Sequence, residues 1–295
     1  MAEPLFRRLA LLGIGLIGSS VARIAMERRD IAAEVVANAR SQATLDRVLH
    51  LGIADRVELD PAKAVAGADC VMLCAPVGAY AALAEAISPH LAPGAIITDV
   101  GSTKVSVIRD VGPLVPAGVH FVPGHPLAGT EYSGPDAGFT TLFQNRWCLL
   151  TPPPGTDAEA VAKVRALWER CGAMVDQMDP AHHDRVLAIV SHLPHLLAFT
   201  ICGTADDLEG ESRKEVLQFA ATGFRDFTRI AASDPVMWRD IFLNNREALL
   251  EMLARFTEDA QAMARAVRWG DAAYIEDKIH RGRRIRKSLI ELKQA

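Results

Sequence analysis

Leu9-Ala10-Leu11-Leu12 runs directly into Gly13-Ile14-Gly15-Leu16-Ile17-Gly18, and Ser19-Ser20-Val21-Ala22 follows. A short apolar run reads as a buried strand, and the small residues after the last glycine read as the opening of a helix. Strand, GxGxxG turn and helix in that order form the first half of a dinucleotide-binding βαβ unit. The first glycine allows the tight turn, the second lets backbone N–H groups approach a pyrophosphate, and the third lets helix and strand pack closely. The helix N-terminus adds partial positive charge. Gly13, Gly15, Leu16, Ile17 and Gly18 are therefore candidate cofactor contacts. The plain alternative is a tight turn with no ligand, which the βαβ context disfavours.

The first half of the chain keeps alternating in this way. Leu9–Ile14, Glu34–Ala39, Cys70–Ala75 and Ala95–Val100 read as strands, with helical patterns near 18–29, 41–51 and 78–91. Such alternation predicts parallel strands joined by crossover helices. His120–Val122 and Trp147–Thr151 read as further strands, and Ala173–Met178 is expected to close the sheet. After Asp179-Pro180, a strong helix start, nearly everything reads as helix. A second Asp-Pro, Asp234-Pro235, opens a periodic run expected to reach Trp269 as one helix. A helix that long seldom packs within one small domain, so it is expected to cross to a second subunit. The fold class is thus α/β plus all-α: a Rossmann-type doubly wound domain over 1–178, and a helical substrate and dimerisation domain over 179–295.

Composition narrows the function. The 295 residues carry a net charge of −4 and only 6% aromatics, which argues against nucleic-acid binding. Five cysteines, an odd number without a CxxC pair, fit reduced thiols in a cytoplasmic protein. The stretch 186–205 lacks Asp, Glu, Lys and Arg, but its Ser191, His192, Pro194, His195, Thr200 and Thr204 would be costly in lipid. It reads as a buried helix, and no membrane partner is expected. The basic segment His280–Lys287 reads as a solvated helix face.

The end of the second predicted strand bears on cofactor choice. An NAD-preferring site usually carries Asp or Glu about 20 residues past the glycines. Here the region reads Val36-Ala37-Asn38-Ala39-Arg40-Ser41, with no carboxylate at its tip. Arg40 and Ser41 can meet a 2′-phosphate instead, so NADP is expected to be preferred, with NAD possible. Cys74, Ala75 and Pro76, at the carboxyl end of the third predicted strand, complete the candidate cofactor contacts.

Two further segments fall at that sheet edge, the usual ligand crevice. They are Asp99-Val100-Gly101-Ser102-Thr103-Lys104 and Gly124-His125-Pro126-Leu127-Ala128-Gly129-Thr130-Glu131. His125, flanked by glycines, can accept a proton near neutral pH. Ser102 can hydrogen-bond either that imidazole or a substrate hydroxyl. His192 and His195 share a helix face, but HExxH is absent and no metal site is expected. His182 and His183 read as structural or exposed.

Taken together, GIGLIGSS, DVGSTK, GHPLAGTEYSG, SHLPH and FTRIAASDPVMWRDI resemble the prephenate/arogenate dehydrogenase family over roughly residues 8–290. The resemblance implies a homodimer that oxidatively decarboxylates prephenate, L-arogenate or both, in tyrosine biosynthesis, with NAD(P). It implies that His125 accepts the hydrogen bond of the ring hydroxyl and that Ser102 orients it. Arg229 would bind a substrate carboxylate and His195 would lie near the substrate side chain. His192 would support the pocket, or be simply a hydrogen-bonded buried residue, and Thr130 and Glu131 would line its entrance. The competing readings are a β-hydroxyacid dehydrogenase or imine reductase of similar build, and a dinucleotide-sensing protein without chemistry.

Overall fold

The computed structural model of the chain describes residues 3–130, 132–208, 214–216 and 218–292. It separates into two compact units, Met1–Arg246 and Glu247–Ala295.

In the first unit, β1 (Phe6–Leu12), β2 (Ala32–Asn38), β3 (Arg56–Glu58), β4 (Cys70–Leu73), β5 (Ile96–Asp99) and β6 (His120–Val122) form one parallel sheet in the order β3-β2-β1-β4-β5-β6. Strand order reverses between β1 and β4, which creates a crevice at their carboxyl ends. Both faces of this sheet are covered, as parallel sheets require. Leu9 and Leu11 of β1 belong to one buried cluster, while Ala10 and Leu12 belong to the other. Hence these strands read as continuous apolar runs.

Ala173–Met178 does not close this sheet. Its strand, β9 (Met174–Gln177), pairs in parallel with β8 (Trp147–Leu150), and β8 pairs antiparallel with a short strand, β7 (Gly124–Pro126). The three make a separate small sheet. The chain leaves β6 and enters β7 after a single residue, Pro123. A proline cannot donate to a ladder and marks the point where one sheet ends. This places His125, in the middle of β7, just beyond the carboxyl edge of the main sheet.

The helical part begins as expected. Asp179 accepts the His182 N–H at 2.8 Å and caps helix Pro180–Leu187. That helix passes through a π turn, Ala188–His192, into helix Leu193–Asp206. Pro194 lacks an N–H and crowds the preceding turn, a recognised cause of such a register change. The span 180–206 is apolar and long enough to cross a membrane by length and composition. Its expected burial is met only in part within a single chain, since Ile189, Val190 and Ile201 are exposed.

Asp234 caps helix Pro235–Asn244 through the Met237 N–H at 2.8 Å. The single long helix expected from there to Trp269 is interrupted at Asn245, whose backbone (φ −114°, ψ 34°) leaves the helical region. Asn245 is buried, and its amide donates to the Asp184 carbonyl at 2.8 Å. A tertiary hydrogen bond therefore breaks a pattern that is periodic on both sides. In the second unit, Gly270 (φ +66°) turns the chain between helices Arg246–Trp269 and Ala272–Glu291, and Lys278 pairs with Asp259 at 2.6 Å.

Candidate active site

The glycine turn sits at the β1 edge of the crevice. Gly13 has φ +110°, and a Cβ there would lie 2.7 Å from the Cys74 carbonyl carbon and 2.8 Å from the Ala75 nitrogen. A Cβ on Gly18 would meet the Gly13 carbonyl oxygen at 2.2 Å. At Gly15, by contrast, a Cβ would have nothing within 4 Å. Two glycines are thus required by the protein's own backbone, and the middle one faces open space at the start of helix Leu16–Arg28. That open cradle at a helix N-terminus suits a pyrophosphate. Cys74, Ala75 and Pro76 follow β4 directly against the turn. The Cys74 thiol is held well above its usual range by burial, so it packs rather than reacts.

Arg40 and Ser41 are exposed past β2. Ser41 caps helix Gln42–His50, accepting the Thr44 N–H at 3.2 Å and contacting its hydroxyl at 2.8 Å. Asn38 occupies the strand tip and donates to the Glu58 and Leu59 carbonyls at 2.9 and 3.1 Å. The tip segment itself, Asn38-Ala39-Arg40-Ser41, contains no Asp or Glu.

Across the crevice, β5 and β7 are tied by a buried pair. Asp99 and Lys104 are both fully buried and in direct contact. Asp99 accepts the N–H groups of Gly101 at 2.7 Å and Gly124 at 3.1 Å. Lys104 Nζ donates to the Gly124 carbonyl at 2.7 Å. Burial raises the Asp99 pKa and lowers that of Lys104, against their mutual attraction. The pair grips both sides of Gly124, and so fixes the strand bearing His125 against the turn bearing Ser102.

His125 is 8% exposed. Its Nδ1 lies 2.9 Å from His183 Nε2, and His183 Nδ1 lies 2.8 Å from Asp184 Oδ1. Among the described residues no hydrogen bond joins Ser102 to His125. His183 takes Nδ1 of the imidazole, which leaves Nε2 as the ring nitrogen open to Ser102 or to a substrate hydroxyl. Burial, followed by the neighbouring His183, Lys104 and His192, pushes the His125 pKa well below its ordinary value. The ring is neutral at physiological pH and can accept a proton. His183 is the residue that sequence reasoning missed. It is fully buried and central, whereas its neighbour His182 is exposed at the helix start.

His192 is buried, with Nδ1 accepting from Asn245 at 2.9 Å, and burial pulls its pKa down to about 4. His195 is half-buried, donates from Nδ1 to the Ser191 carbonyl at 3.0 Å, and stacks on Trp238 with ring centroids 3.6 Å apart. Burial lowers its pKa, and Arg229 lies close enough to add to that. Arg229 is exposed at the head of the short turn Arg229–Ala232. Thr130 is exposed beside a surface depression that it lines with Tyr132, Ser133, Asp136, Ala137 and Phe139. Glu131 lies outside the described residues. The loop carrying Asp136 is fastened to the dinucleotide half: Arg47 holds Asp136 with two nitrogens, and Arg23 donates to the Pro135 carbonyl at 3.1 Å. Among the described residues no group of His, Cys, Asp and Glu is arranged to hold a metal ion.

Known proteins resemble this arrangement over nearly the whole chain. The model of the prephenate dehydrogenase nucleotide-binding domain matches residues 23–177, and that of the prephenate dehydrogenase dimerization domain matches 179–281. A cyclohexadienyl dehydrogenase of Zymomonas mobilis is 41% identical over 284 residues, covering 96% of each chain. The structure of Aquifex aeolicus prephenate dehydrogenase with hydroxyphenyl propionate and NAD+ is similar at a TM-score of 0.87 and 30% identity, covering 96% of this chain and 98% of that one. Synechocystis arogenate dehydrogenase follows at a TM-score of 0.79 and 27% identity, with 95% and 99% covered. With its glycine turn, its two-part build and a family match across most of its length, the chain belongs to the prephenate dehydrogenase family.

Proposed function

We propose that the protein oxidatively decarboxylates prephenate, L-arogenate or both, in tyrosine biosynthesis, with His125 as proton acceptor and NADP as the preferred cofactor. The enzyme is an NAD(P)-dependent oxidoreductase. One observation carries the assignment of His125: a neutral, nearly buried imidazole sits at the crevice edge with Nδ1 engaged and Nε2 making no bond among the described residues. When bound, the dinucleotide supplies the hydride acceptor. Gly13, Gly15, Leu16, Ile17 and Gly18 would hold its pyrophosphate, and Cys74, Ala75 and Pro76 would border it.

His125 Nε2 takes the proton of the ring hydroxyl, and Ser102 orients that hydroxyl. Arg229 receives a substrate carboxylate with its guanidinium fork. His195, its Nδ1 committed to the Ser191 carbonyl, offers Nε2 as an acceptor near the substrate side chain. His192 stiffens this wall through Asn245. Thr130 and Glu131 border the entrance. Arg40, and Ser41 beside it, stand where a 2′-phosphate would lie, and the missing strand-tip carboxylate supports NADP over NAD. The working form is a soluble, cytoplasmic homodimer, with the division at 178/179 separating the dinucleotide and dimerising parts. The exposed Ile189, Val190 and Ile201 are suited to burial against a second copy.

Initial rates on purified prephenate and L-arogenate, each with NAD+ and NADP+, test the reading directly. His125→Asn should lose kcat by orders of magnitude while keeping cofactor affinity, and Arg229→Ala should chiefly raise substrate KM. A His125→Asn enzyme with most of its kcat would overturn the mechanism.

A further inference from the structure

We propose that His183 is a positioning residue that fixes the tautomer of His125, with Asp184 anchoring the order of donors and acceptors. The proposal rests on the reading of His125 as proton acceptor.

The direction of every bond follows from one end of the chain. Asp184 Oδ1 accepts the Lys104 N–H at 2.8 Å, and Oδ2 accepts the Val105 N–H at 3.0 Å. A backbone N–H can only donate, so both carboxylate oxygens are committed as acceptors. Oδ1 also meets His183 Nδ1 at 2.8 Å, which places the His183 proton on Nδ1. A neutral ring then carries its lone pair on Nε2. That lone pair faces His125 Nδ1 at 2.9 Å, so His125 donates from Nδ1. The remaining lone pair of His125 therefore stands on Nε2, the only ring nitrogen left for substrate. The opposite order requires His183 to donate from both nitrogens, which makes it a cation. His183 is fully buried, and burial outweighs the pull of Asp184 to keep its pKa low, with Lys104 opposing charge further.

The anchor is held firmly. Asp184 bridges helix Pro180–Leu187 to the first turn of helix Val105–Val111, and its carbonyl receives the Asn245 amide at 2.8 Å. The charged or titratable groups acting on His125 are His183, Lys104 and His192, while Asp184, Asp99 and Lys104 act on His183. A purely structural histidine would need no such ordered chain ending on a reactive ring.

The test uses the full-length enzyme. Histidine 15N NMR of the wild type near neutral pH should show His125 protonated on Nδ1 and bare on Nε2. His183→Leu removes the acceptor and should lower kcat about 10- to 100-fold, the range seen when a metal-bound histidine loses the partner of its other ring nitrogen, with substrate KM and cofactor Kd unchanged. His183→Gln keeps an acceptor oxygen and should recover most of the loss. It also supplies the answer if the leucine variant does not fold. Nε2-protonated His125 in the wild type, an unchanged kcat in His183→Leu, or a loss confined to KM would overturn the proposal. His125→Asn separates the two readings. If that variant is dead while His183→Leu works normally, only the tautomer assignment falls. If His125→Asn itself keeps its kcat, both fall.

Discussion

Three alanine substitutions in one turn separate folding from cofactor binding. A Cβ at position 18 would sit 2.2 Å from the Gly13 carbonyl oxygen, with the Cys74 Cβ at 3.2 Å, and neither is the far end of a flexible side chain that could yield. Overpacking of this kind costs about 1–3 kcal/mol. At position 13 the added Cβ meets Cys74 and Ala75 backbone at 2.7–2.8 Å, and a φ of +110° adds strain of about 1–3 kcal/mol. Gly13→Ala and Gly18→Ala should therefore both destabilise the protein without any cofactor present, with Gly13→Ala the worse. Gly15 is different. Its φ is −82° and its Cβ position is open, so Gly15→Ala should lose at most about 1 kcal/mol, the usual scale of a helix-cap change. Yet its methyl would occupy the space that a pyrophosphate needs. Cofactor affinity should fall about 10- to 100-fold, equivalent to about 1.4–2.7 kcal/mol. Denaturant midpoints of the cofactor-free proteins and cofactor Kd by titration calorimetry give both numbers. If Gly15→Ala bound cofactor as tightly as the wild type, or unfolded as readily as Gly18→Ala, the division of roles among the glycines would be wrong.

Other consequences follow from the buried charges and from the strand tip. Lys104→Met strands the fully buried Asp99 carboxylate and should cost about 3–5 kcal/mol in chemical denaturation, with part regained in a Lys104→Met/Asp99→Asn double variant. The histidines of the site have folded-state pKa values below their ordinary 6.5, so the unfolded chain binds more protons in acid. Stability is thus fully present above about pH 6.5 and is lost as pH falls. His192 alone contributes ~3 kcal/mol over the fall from pH 6.5 to about 4, which a series of denaturant melts across that range would detect. By the same reasoning, the acid limb of kcat/KM should lie below pH 6.5, because His125 stays neutral beyond that point. Arg40→Ala should reduce kcat/KM with NADP+ about 10- to 100-fold, as expected for losing a charge-assisted bond, while barely affecting NAD+. Equal losses with both cofactors would remove Arg40 from the 2′-position.

What the sequence disclosed and what it hid have the same physical origin. Most of the main sheet was legible because its central strands are buried on both faces and read as apolar runs, from Leu9–Leu12 to Ile96–Ile97, whereas β3, Arg56–Glu58, is only half-buried and charged at both ends and showed no such run. The glycine turn was legible because its spacing is set locally, Gly18 lying against the Gly13 carbonyl, even though Gly13 itself is pressed against Cys74 and Ala75 just past a distant strand. The other departures involve contacts made across long stretches of chain. β7 is three residues long and has a proline at one end, so it carries no periodic signature, and only its pairing with Trp147–Leu150 makes it a strand. The run from Pro235 to Trp269 keeps helical spacing through Asn245, because the break comes from an amide reaching Asp184 61 residues away. His183 was hidden for the same reason. Beside His182 it reads as a structural or exposed histidine without special context, and its importance lies in a ring nitrogen that meets His125 across 58 residues. One cue was present, since Asp184 directly follows it and an Asp beside a His can set which nitrogen carries the proton. That cue gains meaning only once the Lys104 and Val105 N–H groups are seen to occupy the same carboxylate. Local chemistry can thus locate the reacting imidazole, but the bonds that decide which of its nitrogens reacts belong to the tertiary fold.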